Sequence, residues 1–390
     1  MAAEMVRYLL FGWVQAYYVI PAYHFSYPGF SWLQPGTEVA MVGLFVFVGL
    51  MALGMVWGVG RRWPAVLFTL GFGAIFLMDQ AYYQNHLYLV ILVGALFALM
   101  GLRRGQQARL WMIDLMRLQV GVVYVFGGLA KINEDWLAGE PMTQWMAIRA
   151  DWAVIGPIVG HPGAGLWMSI LGLLFDLLIV PLLLWSRTRR WAFAAAVIFH
   201  AANAVLFKIG VFPILMLTLT TVFFSPDWCE RSERQAVPAP KMPLWVPTVC
   251  VLWALAQIGV PMRSWTMNGH TAWTEEGHRF SWRMKLRSKV GRVVFHAVDK
   301  KRGTHKVIKP EDELTGYQAR RMATRPRMIA QYAHHLARRL KSEGSGHWAV
   351  HVDARASLNG RTPQTLMDPT IDLAAQDFNG PADWIVPLQD

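Results

Sequence analysis

Long blocks of apolar residues, separated by short clusters of arginine, constrain this chain more than any other feature of its sequence. The block at residues 39–59 is followed by Arg61 and Arg62, and the block at 166–185 is followed by an arginine cluster at 187–190. Each block is about as long as a helix that spans a bilayer, where lipid leaves the backbone few alternatives to a helix. Only 16% of the residues are charged, against about 25% in soluble proteins. The sequence therefore predicts an integral, multi-pass membrane protein.

Further apolar blocks continue this pattern as far as Val260, and a polar, proline-rich loop at residues 225–243 interrupts them. The blocks lie at residues 6–20, 39–59, 64–78, 86–102, 111–130, 166–185, 191–207, 211–224 and 244–260. We therefore predict about eight or nine membrane-spanning helices. Residues 6–20 are short for a span, which leaves open whether the first helix is complete. Residues 133–165 are mixed in polarity and predict a loop with a short re-entrant helix.

The arginine clusters also predict the orientation of the chain in the membrane. Cytoplasmic loops are enriched in Lys and Arg, so the clusters at 61–62, 103–104 and 187–190 should face the cytoplasm. Strict alternation of the spans then places the turn at residues 85–86, the turn after Lys131 and everything after Pro261 on the extracytoplasmic side.

The residues from Met262 onward do not resemble membrane spans. The predicted elements are a half-buried strand at 280–287 (FSWRMKLR), a hairpin at 291–298 and 305–308, a helix at 325–340 and a strand from 348. The apolar face of the helix consists of Ile329, Tyr332, Leu336 and Leu340. The predicted fold class is thus a polytopic all-α membrane domain, residues 1–261, followed by an extracytoplasmic α+β domain, residues 262–390.

Polar side chains inside the spans are the first candidates for a site, because they are costly in lipid and mark either function or bonding between helices. They are Asp79, Asn85, His86, Asp114, Arg117, Gln119, Lys131, Asp176, His200, Asn203 and Lys208. So many, mainly toward the outer ends of several spans, predict a polar cavity. His200 and Asn203 share a helix face. Either the pair is functional, or it forms hydrogen bonds between helices. Asp176, in a run of Leu and Phe, must be paired or protonated.

Lys131 ends an apolar run and is followed by an acidic turn, in the stretch YVFGGLAKINEDW at residues 124–136. A lysine at a membrane boundary can extend its ammonium group to water, in which case it has no chemical role. It can also lie in an apolar pocket, where desolvation penalises the cation and a neutral amine becomes a usable base.

Two other classes of site are not predicted. His334, His335, His347 and His351 are candidate metal ligands, but adjacent histidines point to different faces of a helix, and we predict no metal. The basic stretch at 283–309 is expected outside the cell, which argues against a nucleic-acid partner. A solvated face and a docking site for an acidic peptide both remain open for that stretch.

Seven stretches, in order and spread over nearly the whole chain, resemble the vitamin K-dependent γ-carboxylases and their bacterial relatives, the HTTM-domain proteins. These stretches are DQAYYQNHLYLV (79–90), MRLQVGVVYVFGGLAKINEDW (116–136), LLFDLLIVPLLLW (173–185), FHAANAVLFKIGVFP (199–213), FFSPDW (223–228), WTEEGHRFSWRMKLRSK (273–289) and MDPTID (367–372). The combination is highly specific, although no single stretch is.

The resemblance implies oxidation of vitamin K hydroquinone by O2 to the epoxide, coupled to CO2 addition at glutamate side chains. It places the family's base lysine at Lys131, in the pattern K-[LI]-[DN]-x-D-W, and a functional histidine at His86. The family's H-x-x-N pair corresponds to His200 and Asn203. The long extension with which animal members dock propeptides is not found here, so the identity of a glutamate-containing peptide or protein substrate stays open.

We therefore predict a membrane enzyme of the carbon–carbon lyase class, with a site that opens to the extracytoplasmic side and takes a reduced naphthoquinone, O2 and CO2. The predicted catalytic residues are Lys131 and His86. The predicted substrate-binding residues are Asn85, Arg117, Tyr124, Asp176, His200 and Asn203. Two alternatives are a quinol epoxidase or oxidase without glutamate carboxylation, and a non-catalytic membrane protein that binds quinones or lipids.

The predicted orientation is testable with reporters fused after Asp390. An alkaline phosphatase fusion, which is active only outside the cytoplasm, should be active, and a green fluorescent protein fusion should be dark, because the positive-inside rule places the C-terminus outside. Fusions placed after residue 104 should show the opposite pattern. A fluorescent C-terminal fusion would reverse the predicted orientation of the whole chain.

Overall fold

A computed structural model describes residues 1–60, 62–101, 108–207, 209–224, 243–344 and 346–389. The predictions for Arg61, Arg103, Arg104, Lys208 and almost all of the 225–243 loop lie outside the described residues.

Most of the described chain is helical. The α-helices are α1 (Ala2–Leu10), α2 (Glu38–Trp57), α3 (Trp63–Met78), α4 (Asn85–Met100), α5 (Leu110–Leu129), α6 (Glu134–Leu137), α7 (Met142–Ala147), α8 (Gly156–Val159), α9 (Ala164–Leu184), α10 (Arg189–Leu206), α11 (Phe212–Thr220), α12 (Trp245–Met262), α13 (Thr271–Thr274), α14 (Gly316–Met322) and α15 (Pro326–Glu343). The strands are β1 (Lys289–Asp299), β2 (His305–Ile308), β3 (Trp348–Leu358) and β4 (Gln364–Thr365).

The helices and strands pack into two compact units that are discontinuous in sequence. The mixed unit consists of Met1–Gln84, Met267–Glu276 and Arg287–Asp390, and the helical unit consists of Asn85–Thr266 and Gly277–Leu286. The predicted domain boundary between residues 261 and 262 stays a prediction.

The mixed unit contains an antiparallel sheet in the order β2-β1-β3-β4. The predicted hairpin is confirmed, because β1 pairs with β2 and Phe295 lies opposite Ile308. The predicted helix is also confirmed as α15, and the predicted strand at 348 is β3. The four residues of the predicted apolar face of α15 are buried in one core with the inward side chains of β1 and β3. This is the half-buried pattern that an amphipathic helix on a sheet requires.

Asp79 lies in a buried polar junction of the mixed unit and not in the site described below. Its carboxylate accepts hydrogen bonds from Nε2 of Gln318 at 2.8 Å and from the backbone N–H of Ala81 at 2.8 Å. The ring of His24 lies 3.1 Å from the same carboxylate. Asp79 therefore joins the end of α3 to the loop after α1 and to α14, which is a structural role.

The helical unit is built around α5. In the 18-residue stretch of α5 that could cross a membrane, 67% of the residues are buried, against 28% in the corresponding stretch of α9 and 17% in that of α12. The apolar side chains on the outer faces of α9 and α12 are therefore free to contact lipid, whereas α5 packs on protein along most of its length. The segment at 133–165 forms three short helices, α6 to α8.

The predicted count of eight or nine spans is not confirmed. Among the described residues, the helices long and apolar enough to cross a membrane are Glu38–Trp57, Leu110–Leu129, Ala164–Leu184 and Trp245–Trp265. Three more apolar helices are shorter, namely Trp63–Met78, Asn85–Met100 and Phe212–Phe223.

The predicted strand at 280–287 is wrong. Phe280, Trp282 and Lys285 have positive φ angles of 63°, 56° and 51°, which an extended strand does not contain. Residues 277–286 belong to the helical unit. The indole of Trp282 is fully buried and stacks on Tyr88 at a centroid distance of 5.2 Å. The alternation of apolar and polar residues is real, but its two buried apolar residues, Trp282 and Leu286, pack among helices, which the pattern cannot distinguish from burial in a sheet.

The core of the mixed unit should depend on α15. Leu336→Ala removes a fully buried side chain and should cost about 2–5 kcal/mol of stability, because a cavity is left behind. Arg338→Ala, on the exposed side of the same helix, should have little effect. Thermal unfolding of the purified variants measures both, and equal melting temperatures would contradict the packing of α15 on the sheet.

Candidate active site

Two glycines on α5 allow α9 to approach unusually closely. A Cβ atom at Gly128 would lie 2.7 Å from Cδ2 of Leu177 and 3.2 Å from Cβ of Asp176. A Cβ atom at Gly127 would lie 3.2 Å from Oδ2 of Asp176. Small residues bring membrane helices into close contact in this way. As a result, the carboxylate of Asp176 reaches the C-terminal end of α5.

Lys131 and Asp176 form a buried pair at this point. Nζ of Lys131 donates to Oδ2 of Asp176 and to the backbone oxygen of Gly127 at 3.3 Å. It also lies 5.4 Å from the centre of the Trp136 ring, where a cation is attracted by the ring face. Lys131 and Asp176 are 8% and 5% exposed, so the lysine side chain does not extend to the surface. Asp176 is paired, as its apolar surroundings require.

Trp136 is in turn held in place by α9. Its indole Nε1 donates to the backbone oxygen of Ser169 at 2.8 Å, and the side chain is 3% exposed. The predicted acidic turn therefore has a definite structure. Asn133 caps α6 by accepting from the backbone N–H of Trp136 at 3.1 Å, which fixes the position of the indole beside Lys131.

A second group of polar side chains lies further into the helical unit. The hydroxyl of Tyr124, two turns before Lys131 on α5, lies 2.9 Å from Nε2 of His200 and 3.1 Å from Oγ1 of Thr220. All three residues are buried. This hydrogen-bonded group links α5 to α10 and α11.

Aromatic rings connect the two polar groups. Phe175, next to Asp176, stacks on Phe199 at a centroid distance of 3.8 Å and meets the ring of Tyr124 edge-on at 5.9 Å. Phe212 lies 6.1 Å from the ring of His200 and 6.2 Å from the ring of His86. The structure therefore brings five predicted site residues into one cluster. They are His86, Tyr124, Lys131, Asp176 and His200.

The other predicted substrate-binding residues are Arg117, Asn203 and Asn85. Arg117 lies about four turns before Lys131, roughly 21 Å along the helix axis. Its guanidinium donates to the backbone oxygens of Val222 at 3.1 Å and Phe223 at 3.4 Å, and to Asp114 at 3.1 Å.

The two predicted asparagines bond to backbone oxygens. Asn203 donates to the backbone oxygen of Phe199 on its own helix at 2.8 Å. Asn85 donates to the backbone oxygen of Arg283 at 3.4 Å.

Sequence reasoning missed Gly127, Gly128, Trp136, Phe175 and Thr220 as parts of the site. The glycine pair inside an apolar helix could have been recognised as a packing motif for a neighbouring span. The sequence carries no comparable pattern for Phe175 or Thr220, because their roles depend on which helices become neighbours. Among the described residues, no group of three or more His, Cys, Asp or Glu side chains has the geometry to hold a metal.

Comparison with known families gives two matches that together cover most of the chain. A family model of the HTTM domain matches residues 1–228, and a model of the lumenal domain of vitamin K-dependent gamma-carboxylase matches residues 243–390. The chain belongs to the vitamin K-dependent gamma-carboxylase family. It is thus a carboxylase-like membrane protein, and the family implies an enzyme that uses vitamin K hydroquinone, O2 and CO2. No solved structure matches this family member.

The close approach of α5 and α9 in this gamma-carboxylase relative is testable with a matched pair of variants. Gly128→Ala should cost about 1–3 kcal/mol of stability, because the new methyl group overlaps Leu177 and pushes Asp176 away from Lys131. Gly121→Ala is the control, because a Cβ there would lie a tolerable 3.6 Å from Val180 on the same pair of helices. Thermal unfolding in detergent measures both, and equal destabilisation would refute the glycine argument.

Proposed function

We propose that the protein is a vitamin K-dependent γ-glutamyl carboxylase-like enzyme of the carbon–carbon lyase class. In this proposal it oxidises vitamin K hydroquinone with O2 to the epoxide and couples the oxidation to CO2 addition at glutamate side chains. The observation that carries the proposal is the buried Lys131–Asp176 pair at the end of α5, next to an aromatic cluster. Family membership indicates the class of reaction, and the pair places a candidate base in a buried environment.

The cluster fits a reduced naphthoquinone in its chemistry. Such a molecule is flat and apolar, with two hydroxyl groups on opposite sides of one ring. The cluster offers stacked and edge-on aromatic rings, including Phe175, Phe199 and Phe212, with a few polar atoms among them. Largely apolar walls with a small number of placed polar groups are typical of small-molecule sites. When bound, the hydroquinone supplies through its oxidation a base stronger than any side chain, which removal of a proton from the γ-carbon of glutamate requires.

Lys131 is proposed to accept a proton from a quinol hydroxyl. Only the neutral amine can take up a proton, so in this proposal the proton of the buried pair resides on Asp176 before the quinol binds. The ammonium formed by that uptake is stabilised by Asp176, by the backbone oxygen of Gly127 and by the face of Trp136. Asp176 also holds Nζ at one position, which keeps the base oriented.

The same burial excludes water from the reacting groups. Lys131, Trp136 and Asp176 are each less than 9% exposed. Water near this site would protonate a strong base before that base could remove the proton from glutamate. The exclusion of water therefore favours the coupling of quinol oxidation to carboxylation. His86 and His200 are proposed to bind the quinone oxygens, and Tyr124 is proposed to hold His200.

Replacing Lys131 tests its role as the base. Lys131→Ala and Lys131→Arg should both lower epoxide formation by at least about 100-fold, since a general base contributes about that much and guanidinium stays protonated in proteins. Epoxide is measured by chromatography after incubation with vitamin K hydroquinone and O2. Small amines added to the alanine variant should restore part of the activity.

The control is Lys306→Arg, because Lys306 also lies over an indole ring, that of Trp348 at 5.3 Å, but outside the helical unit. It should keep wild-type activity. Near-normal activity of Lys131→Arg would show that Lys131 is only a structural charge.

The reaction class is tested with the wild-type protein and ¹⁴C-labelled CO2. Incorporation of label into a glutamate-containing peptide supports the carboxylase. Epoxide without label identifies the epoxidase alternative, and the absence of both products under conditions where quinone binds identifies a binding protein.

A further inference from the structure

His200 carries a buried nitrogen that the hydrogen bonds of the site do not use. The residue is 2% exposed, and its Nδ1 has no hydrogen-bond partner among the described residues. The rings of Phe175, Phe199 and Phe212 lie 5.4 to 6.4 Å from the imidazole. A polar atom left unpaired in such apolar surroundings is costly, so each case calls for an explanation such as a ligand.

The hydrogen bonds on the other side of the ring determine which nitrogen carries the proton. Oγ1 of Thr220 lies 2.7 Å from the backbone oxygen of Met216. A carbonyl oxygen cannot donate, and two oxygens at this distance require a hydrogen between them. The single hydroxyl hydrogen of Thr220 is therefore used in this bond.

The direction of the remaining bonds follows from that assignment. Because Thr220 has no second hydrogen, the hydroxyl of Tyr124 must donate to Oγ1 of Thr220 across 3.1 Å. Tyr124 then has no hydrogen left for His200, so Nε2–H of His200 must donate to the hydroxyl oxygen of Tyr124 across 2.9 Å. A neutral imidazole has one N–H, and a charged one is disfavoured because the ring is buried away from water. Nδ1 is thus an acceptor with a free lone pair.

We propose that Nδ1 of His200 accepts a hydrogen bond from a hydroxyl group of the reduced quinone, and that Tyr124 and Thr220 make the site selective for the reduced form. This proposal rests on the proposed function for the class of ligand. A hydroquinone has hydroxyl donors, whereas the quinone and the epoxide present only acceptor oxygens. A carbonyl oxygen facing the lone pair of Nδ1 is repelled, so the site binds the substrate and disfavours the oxidised product.

In this arrangement His200 contacts the ligand, and Tyr124 and Thr220 are positioning residues that act through it. A single substitution should exchange the donor and acceptor roles of the two ring nitrogens of His200. Thr220→Val removes the acceptor for the Tyr124 hydroxyl, which can then donate to Nε2 of His200. The ring proton moves to Nδ1, which becomes a donor suited to a quinone carbonyl.

The experiment measures binding without turnover. Vitamin K hydroquinone and vitamin K quinone are titrated separately, without O2, into the full-length protein in detergent, and quenching of tryptophan fluorescence gives each Kd. Wild type should bind the hydroquinone more tightly, and Thr220→Val should lower the ratio of hydroquinone to quinone affinity by about tenfold, the scale of one buried hydrogen bond. Thr220→Ser keeps the hydroxyl and should keep the wild-type ratio.

Thr221→Val is the matched control. Thr221 follows Thr220 directly in the chain, and its exposed hydroxyl donates to the backbone oxygen of Thr218 at 2.7 Å. The wild-type ratio is expected for this variant. Equal affinities in wild type, or a parallel loss of both affinities in Thr220→Val, would overturn the proposal, because the second result is what a purely structural role predicts.

Failure of this inference and failure of the proposed function are distinguishable. Epoxide formation by wild type with an unchanged affinity ratio in Thr220→Val overturns the inference and leaves the enzyme function intact. A shifted ratio in a protein that forms no epoxide supports the inference and removes the enzyme function.

Discussion

The cost of placing charged groups in an apolar helical unit governs the architecture around Lys131. A lone ammonium or a lone carboxylate at this depth would be strongly destabilising, so each requires the other within hydrogen-bonding distance. That requirement brings α9 against α5, and only glycines at positions 127 and 128 leave room for it. The pair, the close helix contact and the buried site are therefore consequences of one electrostatic constraint.

The polar atoms of the site are few, and most are held by a second contact. Trp136 is held through Ser169, and the hydroxyl of Tyr124 is held through Thr220. Such second contacts orient the groups that face a ligand and reduce the rearrangement needed during a reaction. Nδ1 of His200 lacks such a contact. The hydrogen bonds that run from Met216 through Thr220 and Tyr124 to His200 therefore bear on which ligand binds, and not only on stability.

The non-membranous part of the chain shows what a sequence pattern can predict and what it cannot. The hairpin of β1 and β2 and the face of α15 followed from alternation and helical spacing, because each buries one side against a single neighbour. Residues 280–287 had the same alternation, but residues 280–286 belong to the helical unit, where Trp282 packs against Tyr88. A pattern records which side chains are buried, whereas the element that buries them is a property of the tertiary structure.

For this protein, the sequence by itself determined the membrane class, the position of α5, the place of Lys131 at the end of that helix and the family to which the chain belongs. Apolar length, arginine clusters and ordered motifs are local properties that survive without a structure. Only the tertiary structure decided that Asp176 is the partner of Lys131, that Tyr124 meets His200 and Thr220, and that Arg117 donates to the backbone oxygens of Val222 and Phe223. Those contacts join residues from tens to about a hundred positions apart, and no local pattern specifies which helices become neighbours.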